Sequence, residues 1–206
     1  MASLIGSFTS IGGVARQQVA MVNLGTGAAT LSAWYSSRWN EDCATSLQWY
    51  TRDVDWLPTG SAFVVVTTGA GFPGTPKLCD TATRWSAVDA GGQQPTWINY
   101  SGGDTFHSVA ATDRGIFVSG HFRWLDNPQG RDTMGPGAVV RRGIGSLDPT
   151  TGKATSWNPT KSVEGGLGAF DLYFTARGLW VGHFERHLGQ HSAGPELHEG
   201  LGLLPF

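Results

Sequence analysis

Charged side chains are scarce in this sequence. Asp, Glu, Lys and Arg make up 15% of its 206 residues, against about 25% in an average globular domain. Acidic and basic residues nearly cancel to a net charge of −2, so the chain lacks the basic surface on which nucleic acids or anionic membranes bind. No apolar run approaches the roughly 18 residues of a membrane-spanning helix. We therefore expect neither a nucleic-acid partner nor a membrane span.

Cysteine is scarce too. Cys43 and Cys79 are the only two, they lie 36 residues apart, and neither belongs to a CxxC pair, which argues against a zinc site. One disulfide in an exported protein is the favoured interpretation, and two buried free thiols are the alternative. Met1 leads directly into an apolar segment with no secretory signal before it. We therefore expect a fragment, or a chain whose upstream part has been lost, from a secreted or cell-surface protein.

Glycine and tryptophan, by contrast, are abundant, with 30 and 9 residues. This composition favours short strands joined by tight turns over helices rich in Glu, Lys and Ala. One apolar segment ending in glycine recurs along the chain. Its copies are LIG (Leu4–Gly6), FVVVTTG (Phe63–Gly69), IFVSG (Ile116–Gly120) and LWVG (Leu179–Gly182).

A tryptophan follows three of these copies at a regular distance. Trp34 and Trp97 both lie 28 residues after the glycine that ends their segment, and Trp157 lies 37 residues after its glycine. The excess lies in Asn127–Gly137, a stretch rich in Gly and Pro that is typical of a loop. Further strand-like stretches precede the last three copies, at Arg52–Pro58, Phe106–Thr112 and Phe170–Ala176.

One unit is thus four short strands over about 50 residues, which is the pattern of a β-propeller blade. The sequence predicts an all-β chain forming a propeller or part of one, with units at roughly 1–38, 47–100, 104–160 and 168–206. The first unit lacks an opening strand and the last lacks the strand with tryptophan. Half of a larger propeller, closure with a second chain and a compact four-bladed form all remain open. We expect the repeated tryptophans to pack between units, with a ligand-stacking surface as the alternative; they are Trp34, Trp97, Trp157 and Trp180.

A resemblance to a known group appears at this point. VVVTTGAG (Val64–Gly71), LCDTATRW (Leu78–Trp85) and GHFRWLDNPQG (Gly120–Gly130) resemble the C-terminal half of propeller domains in secreted or surface proteins of actinobacteria, often labelled delta-60 or WD40-like repeats. The likeness covers nearly the whole chain. It implies export, pairing of Cys43 with Cys79, and fusion to adhesion-like or polysaccharide-binding modules. It implies no catalytic residues, because none are established for the group.

The chain departs from that group in a histidine-rich tail, where relatives have an Asp/Gly-rich run. Four of the six histidines lie there: His183, His187, His191 and His198. The first three are spaced by four, so they would line one face of a helix and could ligate Zn or Cu. Gly189, Gly194 and Pro195 break a helix, however, so we favour an exposed loop. His183 and His121 each follow the glycine of their apolar segment, so we expect them to share one position of the repeat, which favours a structural role.

Carboxylates offer a second candidate for chemistry. Asp53 and Asp55 alternate on one strand, and Asp171 lies in the matching strand of the last unit. A glycosidase pair needs two carboxyl groups roughly 5–10 Å apart, one of them with a raised pKa. We favour the alternative, in which these side chains bind backbone groups between units. Motifs for a serine nucleophile, a P-loop, a dinucleotide or a calcium loop are absent.

The insertion is the best candidate for ligand binding. Long loops at one end of a propeller carry recognition, and this one combines an aromatic ring with planar polar groups that suit sugars. We expect contact with polysaccharide through Trp124, Asp126, Asn127, Gln129 and Arg131.

The expected function is an exported, non-catalytic binding or scaffold module without a cofactor, which binds extracellular or cell-surface polysaccharide. A metal-dependent enzyme that uses the histidine-rich tail is one alternative. An assembly domain is the other, in which open blade edges pair with a second copy or another chain.

Overall fold

The structure, a computed structural model, describes residues 1–41, 43, 47–70, 77–159, 168–183, 187–191, 194–197 and 200–205. Regular structure in these ranges is β-strand, apart from one 3₁₀ turn at Ser37–Asn40. The all-β class is therefore confirmed. None of the described segments forms a helix long and apolar enough to span a membrane.

The described residues form nineteen strands, most of them short. The strands are β1 (Ala2–Ile5), β2 (Ser10–Ile11), β3 (Val14–Ala15), β4 (Val19–Asn23), β5 (Thr30–Leu31), β6 (Thr51–Trp56), β7 (Ala62–Thr67), β8 (Thr81–Ser86), β9 (Trp97–Tyr100), β10 (Phe106–Ala111), β11 (Ile116–Gly120), β12 (Trp124–Leu125), β13 (Val139–Val140), β14 (Ile144–Leu147), β15 (Ala169–Thr175), β16 (Gly178–His183), β17 (His187–His191), β18 (Gly194–Leu197) and β19 (Leu201–Leu204).

Four antiparallel sheets follow one another along the chain. Sheet I is β1-β4-β5, sheet II is β6-β7-β8-β9, sheet III is β10-β11-β14 and sheet IV is β15-β16-β19. Small two-stranded hairpins are inserted into three of them, each directly after the strand that contains the apolar segment: β2-β3 in sheet I, β12-β13 in sheet III and β17-β18 in sheet IV. The long insertion seen in the sequence is thus one member of a set at equivalent positions.

The opening strands of sheets II, III and IV share one irregularity. Each has a register shift after its first pair, between Thr51 and Asp53 in β6, between Phe106 and Ser108 in β10, and between Ala169 and Asp171 in β15. Asp53, Ser108 and Asp171 therefore occupy the same position of the repeat, because each follows the same bulge.

The same pairing corrects one alignment made from the sequence. His183 pairs with Ala169 in β15, and Gly120 pairs with Phe106 in β10. His183 is therefore equivalent to Gly120 and not to His121. The expectation that the two histidines share a position was wrong by one residue. The glycine is the fifth residue of IFVSG but the fourth residue of LWVG, so the residue after each glycine is not equivalent.

Apolar side chains form a cluster between each sheet and the next. Between sheets I and II the buried members are Val19, Met21, Trp34, Trp39, Phe63, Val65, Leu78 and Trp85. Between sheets II and III they are Val64, Val66, Ala82, Trp97, Phe106, Val109, Ala111, Ile116, Val118, Phe122, Leu125 and Leu147. Between sheets III and IV they are Ala110, Phe117, Ile144, Ala169, Leu172, Leu179, Val181 and Leu204. Successive residues of one strand thus alternate between two clusters, as a strand buried on both faces requires.

Three of the repeated tryptophans lie where the sequence predicts. Trp34, Trp97 and Trp157 each pack in the cluster between their own unit and the next one. Trp34 and Trp97 also make matching hydrogen bonds, since their Nε1 groups donate to Ser86 O and Pro149 O of the following unit, both at 3.0 Å. Gly152, in the left-handed region at φ 70°, lies against the Trp97 ring so closely that a Cβ there would collide with it.

Trp180 departs from this pattern. It lies on the second strand of sheet IV, half-buried, while its neighbours Leu179 and Val181 point into the cluster with sheet III. Trp180 therefore faces away from sheet III, and the packing between two units that the sequence predicts for it is not seen among the described residues.

Cys43 and Cys79 form a disulfide, with their Cα atoms 5.9 Å apart. Both residues are buried. The bridge ties the segment before sheet II to the start of β8, next to Leu78 of the first cluster. The predicted pairing is confirmed, and the alternative of two free thiols was wrong.

Replacing both cysteines by serine should lower the free energy of unfolding by about 3–4 kcal/mol, because a 36-residue loop is no longer closed in the unfolded chain. Urea unfolding without reductant measures the difference between variant and wild type. Reductant should lower the wild-type midpoint and leave that of the variant unchanged. Equal stability of the two proteins without reductant would contradict the prediction.

Candidate functional site

The predicted ligand-binding residues lie on the hairpin inserted into sheet III. Trp124 begins β12 and pairs with Val140 of β13. Gln129 and Arg131 are exposed in the connection between the two strands, whereas Asn127 is fully buried. The hairpin therefore brings the five residues into one loop but divides them between its surface and its interior.

Asn127 holds the loop together. Its Nδ2 group donates to Ser101 O at 3.0 Å and to Thr133 O at 3.1 Å, while its Oδ1 accepts from Gly135 N at 2.8 Å. Its backbone N–H donates to Tyr100 O at 2.9 Å. The whole side-chain amide is thus hydrogen-bonded within the protein, so Asn127 supports the loop from beneath.

Asp126 anchors the same loop to the neighbouring units. It has a left-handed backbone, φ 53°, and its two carboxylate oxygens accept from Asn99 Nδ2 at 2.6 Å and from Ala154 N at 3.1 Å. Asn99 belongs to sheet II, and Ala154 follows sheet III. Asp126 therefore fixes the orientation of the hairpin relative to the two sheets.

Trp124 has a cationic neighbour that sequence reasoning missed. The guanidinium carbon of Arg123 lies 4.4 Å from the centre of the indole ring, in the range of a cation–π contact. Asp104 holds this guanidinium in a bidentate pair, accepting from Nε at 2.8 Å and from Nη2 at 3.0 Å. These hydrogen bonds are the main reason why the pKa of Arg123 is raised. No sequence signal connects Asp104 with Arg123, since 19 residues separate them.

A second candidate is a cleft of about 350 Å³ along the opening strands of sheets II, III and IV. Four carboxylates line it, Asp53, Asp55, Asp113 and Asp171, beside the aromatic rings of Trp56 and Tyr173. The predicted acidic residues therefore do converge. Tyr173 is 68% exposed, so the cleft opens to solvent on the side of β15.

The two aspartates of β6 bind backbone groups with all of their carboxylate oxygens. Asp53 accepts from Val109 N at 2.9 Å and from Val54 N at 2.8 Å. Asp55 accepts from Ala111 N and Trp56 N, both at 2.8 Å. From Asp53 to Asp55 along β6, the N–H donor on β10 changes from Val109 to Ala111. The two strands therefore run parallel.

Burial raises the pKa of both carboxyls, and the backbone hydrogen bonds oppose the shift. The charges of Asp171 and Asp55 raise the pKa of Asp53 further. A raised pKa is what a catalytic acid needs. However, each oxygen already faces an N–H donor, so neither carboxyl can readily present a proton to a substrate. The geometry therefore favours the structural interpretation over a glycosidase pair.

The predicted metal ligands are only partly described. His183 is buried at the end of β16, His187 and His191 begin and end β17, and His198 lies outside the described residues. The tail was expected to be a loop, but its described part forms the hairpin β17-β18. Within the described part of the chain, no group of three or more His, Cys, Asp or Glu side chains is placed to bind a metal ion.

His107 is a half-buried ionisable group that the sequence did not single out. It lies in the bulge of β10 and stacks on Phe170 of sheet IV, with ring centres 4.7 Å apart and planes 19° apart. Burial, together with the positive charges of Arg52 and His121, lowers the pKa of His107 to about 4. The imidazole is therefore neutral at physiological pH and serves as a flat packing surface.

Asp53→Ala should lower the free energy of unfolding at neutral pH by about 1–3 kcal/mol, because the buried Val109 N–H loses its acceptor. Since the pKa of Asp53 is raised, the folded wild type binds more protons than the unfolded chain just above pH 3.8, and its stability declines there as pH rises. That decline should be smaller in the variant. Asp113→Ala, an exposed carboxylate on the same cleft, is the control. Equal urea midpoints for the two variants would contradict the stabilising role of the hydrogen bond between Val109 N and Asp53.

His107→Phe should remove part of the acid sensitivity of the fold. The pKa of His107 is lower in the folded state than in the unfolded chain, so stability falls as pH drops from about 6.5 towards 4. Phenylalanine keeps a flat ring against Phe170 and cannot bind a proton. Urea midpoints at pH 7 and pH 5 should differ less in the variant than in the wild type. An NMR titration in which His107 protonates near pH 6.5 would contradict the prediction.

Comparison of the chain with protein-family models, with curated proteins and with solved structures finds no significant match.

Proposed function

We propose that the chain is part of an exported β-propeller that binds extracellular or cell-surface polysaccharide without catalysis, through the hairpin inserted into sheet III. The observation that carries the proposal is the repeated insertion of a hairpin at one position of the unit. Three of the four described sheets carry one.

Successive sheets packed face to face support the propeller. β6 and β10 run parallel, and the opening strands of sheets II, III and IV line one cleft. Blades arranged around an axis have this geometry, with their opening strands side by side. The shared bulge and the matching tryptophans mark the units as repeats of one design.

The hairpins then gather at one end of the stack. Each connects the strand that contains the apolar segment to the strand after it, and antiparallel pairing makes these connections emerge at the same end of every unit. Loops at one end of a rigid scaffold are the usual site of recognition. This arrangement favours a binding module.

The β12-β13 hairpin has the properties of a carbohydrate-binding loop. Its frame is fixed by Asn127 and Asp126, so little conformational entropy is lost when a ligand binds. Trp124 supplies an aromatic ring for stacking on a sugar, and the exposed Gln129 and Arg131 supply hydrogen-bonding groups on the same loop.

Two observations support the remaining parts of the proposal. The disulfide between Cys43 and Cys79 is typical of proteins in an oxidising compartment, outside the cytosol. Each carboxylate oxygen of Asp53 and Asp55 accepts from a backbone N–H group, which argues against hydrolysis at the cleft.

Trp124→Ala should weaken binding to soluble polysaccharides at least tenfold, equivalent to about 1.4 kcal/mol, because the stacking surface is lost. Affinity electrophoresis against a panel of bacterial and plant polysaccharides measures this, after a glycan array has selected the panel. Gln129→Ala should weaken binding less, since it removes hydrogen bonds that water partly replaces.

Tyr173→Ala is the matched control, because it removes an exposed aromatic ring from the cleft and leaves the hairpin intact. Wild-type affinity in this variant, beside a loss in Trp124→Ala, would support the hairpin. The reverse result would move binding to the cleft, and a wild-type protein that binds no polysaccharide would overturn the proposed ligand.

A further inference from the structure

Every described junction between sheets joins two distinct faces. We call the face that packs on the next sheet along the chain the leading face, and the one that packs on the preceding sheet the trailing face. On sheet II the leading face contains Val64 and Val66, which are buried against sheet III. On sheet III it contains Ala110 and Phe117, buried against sheet IV.

The leading face of sheet IV follows from the strand register. Tyr173 pairs with Trp180, and Trp180 pairs with Leu203. Alignment through the shared bulge makes Trp180 equivalent to Val64 and Phe117, both of which are buried at the junctions formed by sheets II and III. Tyr173 is equivalent to Asp55 and Ala110. Leu201, paired with Gly182, extends the same face.

This face is apolar, and the described residues leave much of it exposed to solvent. Tyr173 is 68% exposed and Leu201 58% exposed, while Trp180 and Leu203 are half-buried. The opposite residues of the same strands, Leu179, Val181 and Leu204, are buried against sheet III. An apolar row on an exposed sheet face marks an interaction surface.

Asp171 adds a polar feature to the leading face of sheet IV. It holds the position of Asp53, whose carboxylate accepts a hydrogen bond from Val109 N of the next sheet. Asp171 is exposed. Sheet I has no described opening strand, so Asp171 has no such donor on that sheet.

Sheet I has the complementary face. Ile5, Val19 and Met21 pack towards sheet II, so the alternate residues of β1 and β4, among them Leu4 and Val22, lie on its trailing face. Leu4 is 40% exposed, and Val22 and its partner Leu31 are half-buried. Among the described sheets, this is the one trailing face that no other sheet covers.

We propose that the leading face of sheet IV binds the trailing face of sheet I in a second copy of this chain. The side chains suit one another, because Phe117 on sheet III packs on the aliphatic Leu172, Leu179 and Val181 of sheet IV. Trp180 would pack in the same way on Leu4, Val22 and Leu31. The contact is head to tail, so it forms a closed ring or continues into longer assemblies.

The junction between copies should be weaker than those within the chain. Sheet I has no described counterpart of β6, so the backbone donors that Val109 and Ala111 provide to Asp53 and Asp55 have no equivalent there. A reversible association that depends on protein concentration is therefore expected.

Sedimentation velocity of the full chain over a wide concentration range tests the proposal. The wild type should associate, and Leu201→Glu or Leu4→Glu should each weaken association at least tenfold, because a charge is buried without a partner. Leu47→Glu is the matched control, as Leu47 is 61% exposed and lies on neither face. Circular dichroism and melting temperature show whether the variants stay folded.

Mixing the two defective variants separates this interface from a symmetric one. A mixture of Leu201→Glu and Leu4→Glu still contains one intact leading face and one intact trailing face, so it should form dimers with one copy of each. A symmetric contact between two leading faces would be lost in Leu201→Glu and untouched in Leu4→Glu. A wild type that stays monomeric, unchanged association in Leu4→Glu, or a mixture that forms no dimers would overturn the proposal.

Discussion

The packing of each sheet face on the next is the interaction on which the rest of the structure depends. A sheet of three or four strands with two apolar faces cannot bury them alone, so its stability comes from its neighbours. The clusters between sheets supply this burial, at roughly 25 cal/mol for each Å² of apolar surface removed from water. Apolar contact is not directional, however. The hydrogen bonds from Val109 and Ala111 to the carboxylates of β6 fix how far one strand advances along the other.

The choice of aspartate at these positions follows from that task. Each carboxylate must accept from an N–H of its own strand and from one of the adjoining strand, and an ionised carboxylate is acceptor-only on both oxygens. An asparagine would turn its NH₂ group towards one of the donors. Burial makes the charge costly, as the raised pKa of Asp53 and Asp55 shows, but the four N–H groups offset part of this cost. Residues held in this way stabilise the junction and have no oxygen left for catalysis.

The sequence predicted those features that depend on residues close together in the chain. Alternating apolar residues and glycines located the strands, and equal spacing located Trp34 and Trp97 in equivalent clusters.

Features that depend on distant partners were not predictable. Asn127 was expected to contact ligand, yet it is buried because Ser101, 26 residues earlier, accepts its amide hydrogen. His183 was matched with His121 because only the strand pairing shows the one-residue offset. Trp180 was expected between two units. The sequence does not show that sheet IV is the last of the four described sheets along the chain.

A stack of repeated sheets leaves two terminal faces. Their composition shows whether they are suited to contact with solvent. If the leading face of sheet IV were an ordinary surface, alternation in β15, β16 and β19 would place polar side chains at Tyr173, Trp180 and Leu203. Instead the row is apolar. A terminal repeat that ends an assembly normally carries a polar outer face. Sheet IV does not have one, so the residues of its outer face are better explained by a further sheet packed against them than by exposure to solvent.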